Sequence, residues 1–299
     1  MKKLAPLYVV LAASLWGFDG IVLRPALYSL PVPLVVLVES SIVGLLLTPI
    51  FLGQFSKLKL LSSADWISFF GVALLGGALG TMAITKALFY VNFVNLSVVI
   101  LIQKLQPVFA ISLAAFLLKE KLPRIFFFWS ALAILGAYFM TFGFAFPDFN
   151  TGDKTFMAAL LSLGAAVSFS SSTVLSKRAL KNVGYQLGTY LRFVISALIM
   201  LVIAGFMGNI NSVMDISSNQ LWIFFLIAFT TGGAAIFLYY YGLKKITASV
   251  ASICELAFPL TAVVLEYFLH GNILKPLQWL GVAILIFSIF QVTRLKQNG

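Results

Sequence analysis

The chain has 299 residues, 61% hydrophobic and only 10% charged, with a mean hydropathy of +1.05 and a net charge of +11. A soluble domain carries about 25% charged residues because water must solvate its surface. This composition therefore excludes a water-soluble globular protein and leaves lipid as the main solvent.

Long apolar stretches follow one another from the amino terminus. A bilayer-crossing helix needs about 20 apolar residues at 1.5 Å rise each. That length predicts spans at 4–28, 33–52, 66–89, 96–118, 126–146, 156–176, 187–207, 221–243, 249–269 and 276–293. The runs are continuous and do not alternate, which favours helices over a β-barrel. Met1-Lys2-Lys3 before an apolar run and Ala12-Ala13-Ser14 has the outline of a signal peptide. Apolar sequence continues to Val22, which favours an uncleaved first span. The longest polar connections run from 147 to 155 and from 208 to 220, too short for a separate soluble domain.

Cys254 is the only cysteine and His270 the only histidine. An intrachain disulfide is excluded, and a His-based metal site or Ser-His-acid catalysis has too few residues to draw on. Walker and Rossmann glycine patterns are missing, which argues against ATP-driven transport by this chain alone. The reading is a non-enzymatic membrane protein without a cofactor.

The basic residues fall on one side. With the amino terminus defining that side, it collects fourteen Lys and Arg, among them Lys57, Lys119, Lys121, Lys177 and Lys244. The opposite side holds four, Arg24, Lys86, Lys154 and Lys275. Under the positive-inside rule both termini are expected to be cytoplasmic, and ten spans fit. The positive charge orients the chain in an inner membrane and does not mark a nucleic-acid partner.

Sliding the chain by 152 residues places Gly80, Ala83 and Ile84 on Gly232, Ala235 and Ile236. It also places Pro107 and Ala110 on Pro259 and Ala262. Residues 1–147 and 155–299 then read as two five-helix repeats. Five is odd, so the second repeat enters the membrane upside down, an arrangement known in transporters with a site at the repeat interface.

Several segments carry a family resemblance: Leu15-Trp16-Gly17, Asn95-Leu96-Ser97-Val98, Gln106-Pro107-Val108-Phe109-Ala110, Lys119-Glu120-Lys121-Leu122, Tyr239-Tyr240-Tyr241-Gly242-Leu243 and Phe258-Pro259-Leu260-Thr261-Ala262. Over nearly its whole length the chain resembles the EamA-type branch of the drug/metabolite transporter superfamily. That resemblance implies secondary transport, often export, of amino acids or other small metabolites. Glu39 stands where family members often have arginine, and Asn272 where an acidic residue is usual.

Four charged residues lie inside the predicted spans, roughly 8–12 Å below a membrane edge: Glu39, Lys104, Arg192 and Glu255. Ionisable groups at such depth face the bundle interior and find partners. Two acid–base pairs are expected, Glu39–Lys104 towards the outer mouth and Arg192–Glu255 towards the inner. They either open for substrate or protons, with Glu39 and Glu255 as coupling candidates, or serve only as permanent packing pairs. Pro107 and Pro259 cannot donate to the carbonyls of Gln103 and Glu255; they predict either kinked, hydrated segments at the substrate site or plain packing kinks. Gln103 and Tyr240 complete the substrate-binding candidates, and Asp19 and Trp16 are weaker cavity candidates. Arg24 reads as an interfacial anchor, and Glu266 and His270 share a face near the outer end. Gly76 and Gly80 predict close helix contact, and the fifth and tenth spans look peripheral.

The function expected is export of small polar metabolites such as amino acids by alternating access, with protons as the coupling candidate. The chain would act as a monomer or weak homodimer. Uptake of an organic cation such as a quaternary amine, or flipping of a lipid-linked metabolite, are the alternatives.

Overall fold

The computed structural model describes residues 4–90, 99, 102–146, 154–270 and 274–295, and over them the chain is an all-α membrane protein. Helices α1 (Ala5–Leu27), α2 (Val32–Phe51) and α3 (Ser63–Ala87) are followed by a shorter apolar helix, α4 (Gln106–Leu117). Then come α5 (Arg124–Phe142), α6 (Phe156–Ala179), α7 (Tyr185–Phe206), α8 (Ser218–Leu243), α9 (Ala248–Leu269) and α10 (Pro276–Arg294). Apart from α4, these are nine helices among the described residues long and apolar enough to cross a bilayer. The start of the fourth expected span with its Asn95–Val98 motif, the polar stretch 147–153, Asn272 and the side chains of Glu266 and His270 lie outside the described residues.

Local chemistry sets the helix starts. Proline occupies the first turn of α1, α2, α4 and α10, where its missing N–H has no intrahelical partner to lose. Reciprocal capping boxes open α3 and α8. Ser62 accepts from the Asp65 N–H at 3.2 Å and donates its own N–H to the Asp65 carboxylate at 3.0 Å. Ser217 and Gln220 repeat this at 3.3 and 3.0 Å. Both helices also carry a π-helical segment, Ala73–Leu79 in α3 and Ala228–Gly232 in α8.

Helix α1 packs on α8 and α9, α6 packs on α3 and α4, α2 on α7, and α5 on α10. Exchanging the first five helices for the last five leaves this set of pairs unchanged. The third and sixth spans meet where small residues were expected to allow it: a Cβ on Gly76 would lie 2.2 Å from Ser172 Oγ. Phe116, Phe206 and Trp222 point outwards and are exposed, as befits a surface solvated by lipid.

At the end of the bundle where Gly242 abuts Ala5, polar contacts tie helix ends together, those of Glu120 across the two halves. Glu120 accepts hydrogen bonds from the N–H groups of Ala248 (2.7 Å) and Ser249 (3.1 Å) and from Ser249 Oγ (2.6 Å). Its carboxylate thereby satisfies the exposed amides and the positive dipole end of α9. Lys177 donates to the carbonyls of Leu243 and Lys244 at 2.9 and 3.1 Å.

Candidate functional site

The helical run breaks at Lys104-Leu105 just before α4, and α9 breaks at Glu255-Leu256. Pro107 and Pro259 stand in the first turns that restart each helix, so the expected mid-helix kinks are interruptions instead. The Glu255 carbonyl, expected to be released by Pro259, accepts the Phe258 N–H at 3.0 Å. A tighter turn satisfies it.

The Glu255 side chain is the hub of the interior. One carboxylate oxygen accepts from Tyr239 Oη at 2.6 Å and Thr173 Oγ1 at 3.2 Å, the other from Gln106 Nε2 at 2.8 Å. Four helices, α4, α6, α8 and α9, thus converge on one carboxylate. Gln103, on the other side of the break, donates to the Ser162 carbonyl at 3.0 Å. Trp16 lies against Tyr239, with ring centroids 5.2 Å apart.

Arg192 does not pair with Glu255. Its Nη1 donates to Tyr240 Oη at 3.3 Å, and its guanidinium lies 5.9 Å from that ring's centroid. Tyr240 is fully buried and also shares a 3.0 Å hydrogen bond with Ser176. Arg192 stands within coulombic range of both Glu255 and Glu39. Among the described residues no ion pair joins it to either.

Glu39 does not pair with Lys104 either. Its partner is Arg24, at 3.2 Å, which also binds Asp19 at 2.5 Å; Asp19 in turn accepts from Thr231 at 3.1 Å. Arg24 is therefore the bridge between two carboxylates and not an interfacial anchor. The cause is the π-helical turn Asp19–Leu23 at the end of α1. An α-helix would set residues five apart on different faces, whereas this π turn bonds the Arg24 N–H to the Asp19 carbonyl and so brings residue i+5 round towards i. Lys104 is buried, 4% exposed, and its Nζ has no hydrogen-bond partner among the described residues.

The two charged residues of α2 and α7 occupy matching niches. A Cβ on Gly232 would fall 3.0 Å from Glu39 Oε1, and one on Gly76 would fall 3.3 Å from Arg192 Nη2. Both glycines belong to the π-helical segments, so each local widening makes room for a charged side chain from the opposite half. Beside Arg24, a recess is lined by Tyr28, Val32, Val36, Thr81 and Thr85.

Sequence reasoning missed Thr173, Ser176 and Thr231 as members of this network. The run Ser170-Ser171-Ser172-Thr173 with Ser176 in an otherwise apolar span was the available signal, since hydroxyls in a membrane helix either bond their own backbone or reach a neighbour.

Replacing Arg24 with methionine leaves Asp19 and Glu39 facing each other without a counter-charge. Unfolding stability in detergent is expected to fall by about 1–3 kcal/mol, between exposed and fully buried pairs, because the Arg24 side chain is 26% exposed. Adding Glu39→Gln to that variant is expected to restore part of the loss, read from denaturant melts of the three proteins.

The sequence matches the EamA-like transporter family model twice, over residues 3–142 and 156–294. It is 47% identical to the riboflavin transporter ImpX of Fusobacterium nucleatum subsp. nucleatum, over 97% of both chains. It is 27% identical to the uncharacterized transporter YwfM of Bacillus subtilis, over 62% of this chain and 60% of that one. A solved crystal structure with 18% identity superposes over the full length of both chains with a TM-score of 0.76, which supports the same fold. With both halves matched and 97% of the chain aligned to a transporter, the chain belongs to the EamA-like transporter family.

Proposed function

We propose that this protein moves riboflavin, or a flavin of the same build, across the inner membrane by alternating access. The observation that carries the substrate is the 47% identity to a riboflavin transporter along 97% of both chains. The interior suits such a molecule. Half-buried Trp16, with Tyr239 against it, supplies aromatic surface for a flat heteroaromatic ring, while Glu255, Thr173 and Arg192 offer donors and acceptors for a hydroxylated tail and a polar ring edge. The expected amino-acid cargo gives way to a flavin on the strength of that relative.

Alternating access is supported by the two matches to one family model and by the helix pairs that survive exchange of the halves. We read residues 1–147 and 155–299 as inverted repeats, with both termini cytoplasmic as the charge bias asks. On that reading the Glu120 and Lys177 contacts close the inner mouth, while the recess beside Arg24 lies at the outer one. Glu39 and Glu255 remain the proton-coupling candidates.

Counterflow in proteoliposomes tests the substrate. Vesicles loaded with unlabelled riboflavin are expected to accumulate labelled riboflavin from outside, and an amino-acid load is expected to give none. Accumulation driven by amino acids but not by riboflavin would return the reading to amino-acid export.

A further inference from the structure

We propose that Lys104 recognises the hydrogen-bond-accepting edge of the substrate ring, the N1 and C2 carbonyl of an isoalloxazine; this rests on the flavin reading above. The Lys104 side chain is 4% exposed and its Nζ has no hydrogen-bond partner among the described residues. Among the described residues, the buried and half-buried carboxylates are bound elsewhere. Asp19 and Glu39 hold Arg24, Asp65 holds Ser62 and Asn182, Glu120 caps α9, and Glu255 takes three neutral donors.

Its neighbours in sequence are fixed. Gln103 is tied to the Ser162 carbonyl at 3.0 Å. The Gln106 side chain is tied to Glu255 at 2.8 Å, and its carbonyl accepts from Ser170 Oγ at 2.8 Å. The turn carrying Lys104 is therefore held by α6 on one side and α9 on the other, two residues from the Glu255 hub. It also directly precedes the amino-terminal end of α4, whose dipole favours negative charge.

An ammonium buried without a partner in a membrane protein is unfavourable. Methionine would fill a similar volume without that penalty. A lysine kept there fits a ligand that brings a concentrated acceptor. In a flavin the pyrimidine edge concentrates negative charge at N1 and the C2 carbonyl, while the dimethylbenzene end is apolar. The ammonium would thus orient the ring as well as hold it.

Riboflavin binding to the purified protein in nanodiscs, followed by quenching of its fluorescence, provides the test. Lys104→Met is expected to weaken riboflavin binding about 10–100-fold, the range for a hydrogen bond to a charged group. Its melting temperature without ligand is expected to equal or exceed that of the wild type, because a buried polar group without a partner has gone. An arm on the wild-type protein needs no variant. In competition with riboflavin, 1-deazariboflavin, which has C–H in place of N1, is expected to bind at least about 10-fold more weakly, and 5-deazariboflavin about as well as riboflavin.

Equal binding of riboflavin and 1-deazariboflavin, an unweakened Lys104→Met, or a variant that melts lower would each overturn the assignment of Lys104 and leave flavin transport standing. A wild-type protein that binds no flavin would overturn the flavin reading and this assignment together.

Discussion

Glu255→Gln is expected to fold normally yet lose riboflavin counterflow by about 10–100-fold, and Glu255→Ala to lose both transport and stability. The difference follows from what surrounds the carboxylate. Tyr239, Thr173 and Gln106 all donate to it. Alanine leaves three buried donors without an acceptor, at about 1–3 kcal/mol each. Glutamine keeps one oxygen for Tyr239 and Thr173 and turns its amide nitrogen towards Gln106. The Gln106 amide can rotate to present its oxygen, because its two ends are nearly equal in shape. The network then stays satisfied, and only the negative charge is missing.

That charge is the quantity under test. Among the described residues Arg192 contacts neutral groups, the Tyr240 hydroxyl and ring, and Glu255 and Glu39 act on it as counter-charges through space. Removing one of these leaves a chamber with excess positive charge, in which an electron-poor ring is held less well and a coupled proton has no seat. Paired melts and counterflow measurements check the prediction. Wild-type counterflow together with wild-type proton-driven transport in a well-folded Glu255→Gln protein would make Glu255 a packing residue and nothing more.

The spans were legible because lipid imposes a simple rule on length and polarity. The nine long helices lie within a few residues of their predicted positions, from Ala5–Leu27 to Pro276–Arg294. The depth of Glu39, Lys104, Arg192 and Glu255 was legible for the same reason, and all four side chains point into the bundle or lie buried within it. Their partners were not. Pairing depends on helix rotation, and the π-helical turn at Asp19–Leu23 shifts Arg24 onto the face of Asp19 in a way that α-helical periodicity cannot show. A one-offset slide of the chain also has limits. It aligns Pro107 with Pro259, whereas the capping boxes place Ser62 with Ser217, three residues out of step. The substrate lay beyond this kind of reading, because aromatic and hydroxyl side chains serve many metabolites alike.

Gly281→Ala is expected to lower stability by about 3 kcal/mol or more, and Gly281→Leu to prevent folding. Helices α5 and α10 are in backbone contact there. A Cβ on Gly281 would lie 2.3 Å from the Met140 nitrogen and 2.8 Å from the Gly136 oxygen, and one on Gly136 would lie 2.8 Å from the Leu285 nitrogen. No flexible side chain can move aside, so the two helices must separate and surrender the van der Waals contact that drives association in lipid. Gly164→Ala is the control, because nothing lies within 4 Å of a Cβ at that position, and its melt should match or slightly exceed the wild type. Among the described residues, neither α5 nor α10 contributes a side chain to the Glu255 network. The fraction of Gly281→Ala that does fold is therefore expected to transport with an unchanged KM. An altered KM in that fraction would mean that the α5–α10 pair shapes the chamber, and the division between a peripheral clamp and a transporting interior would fall.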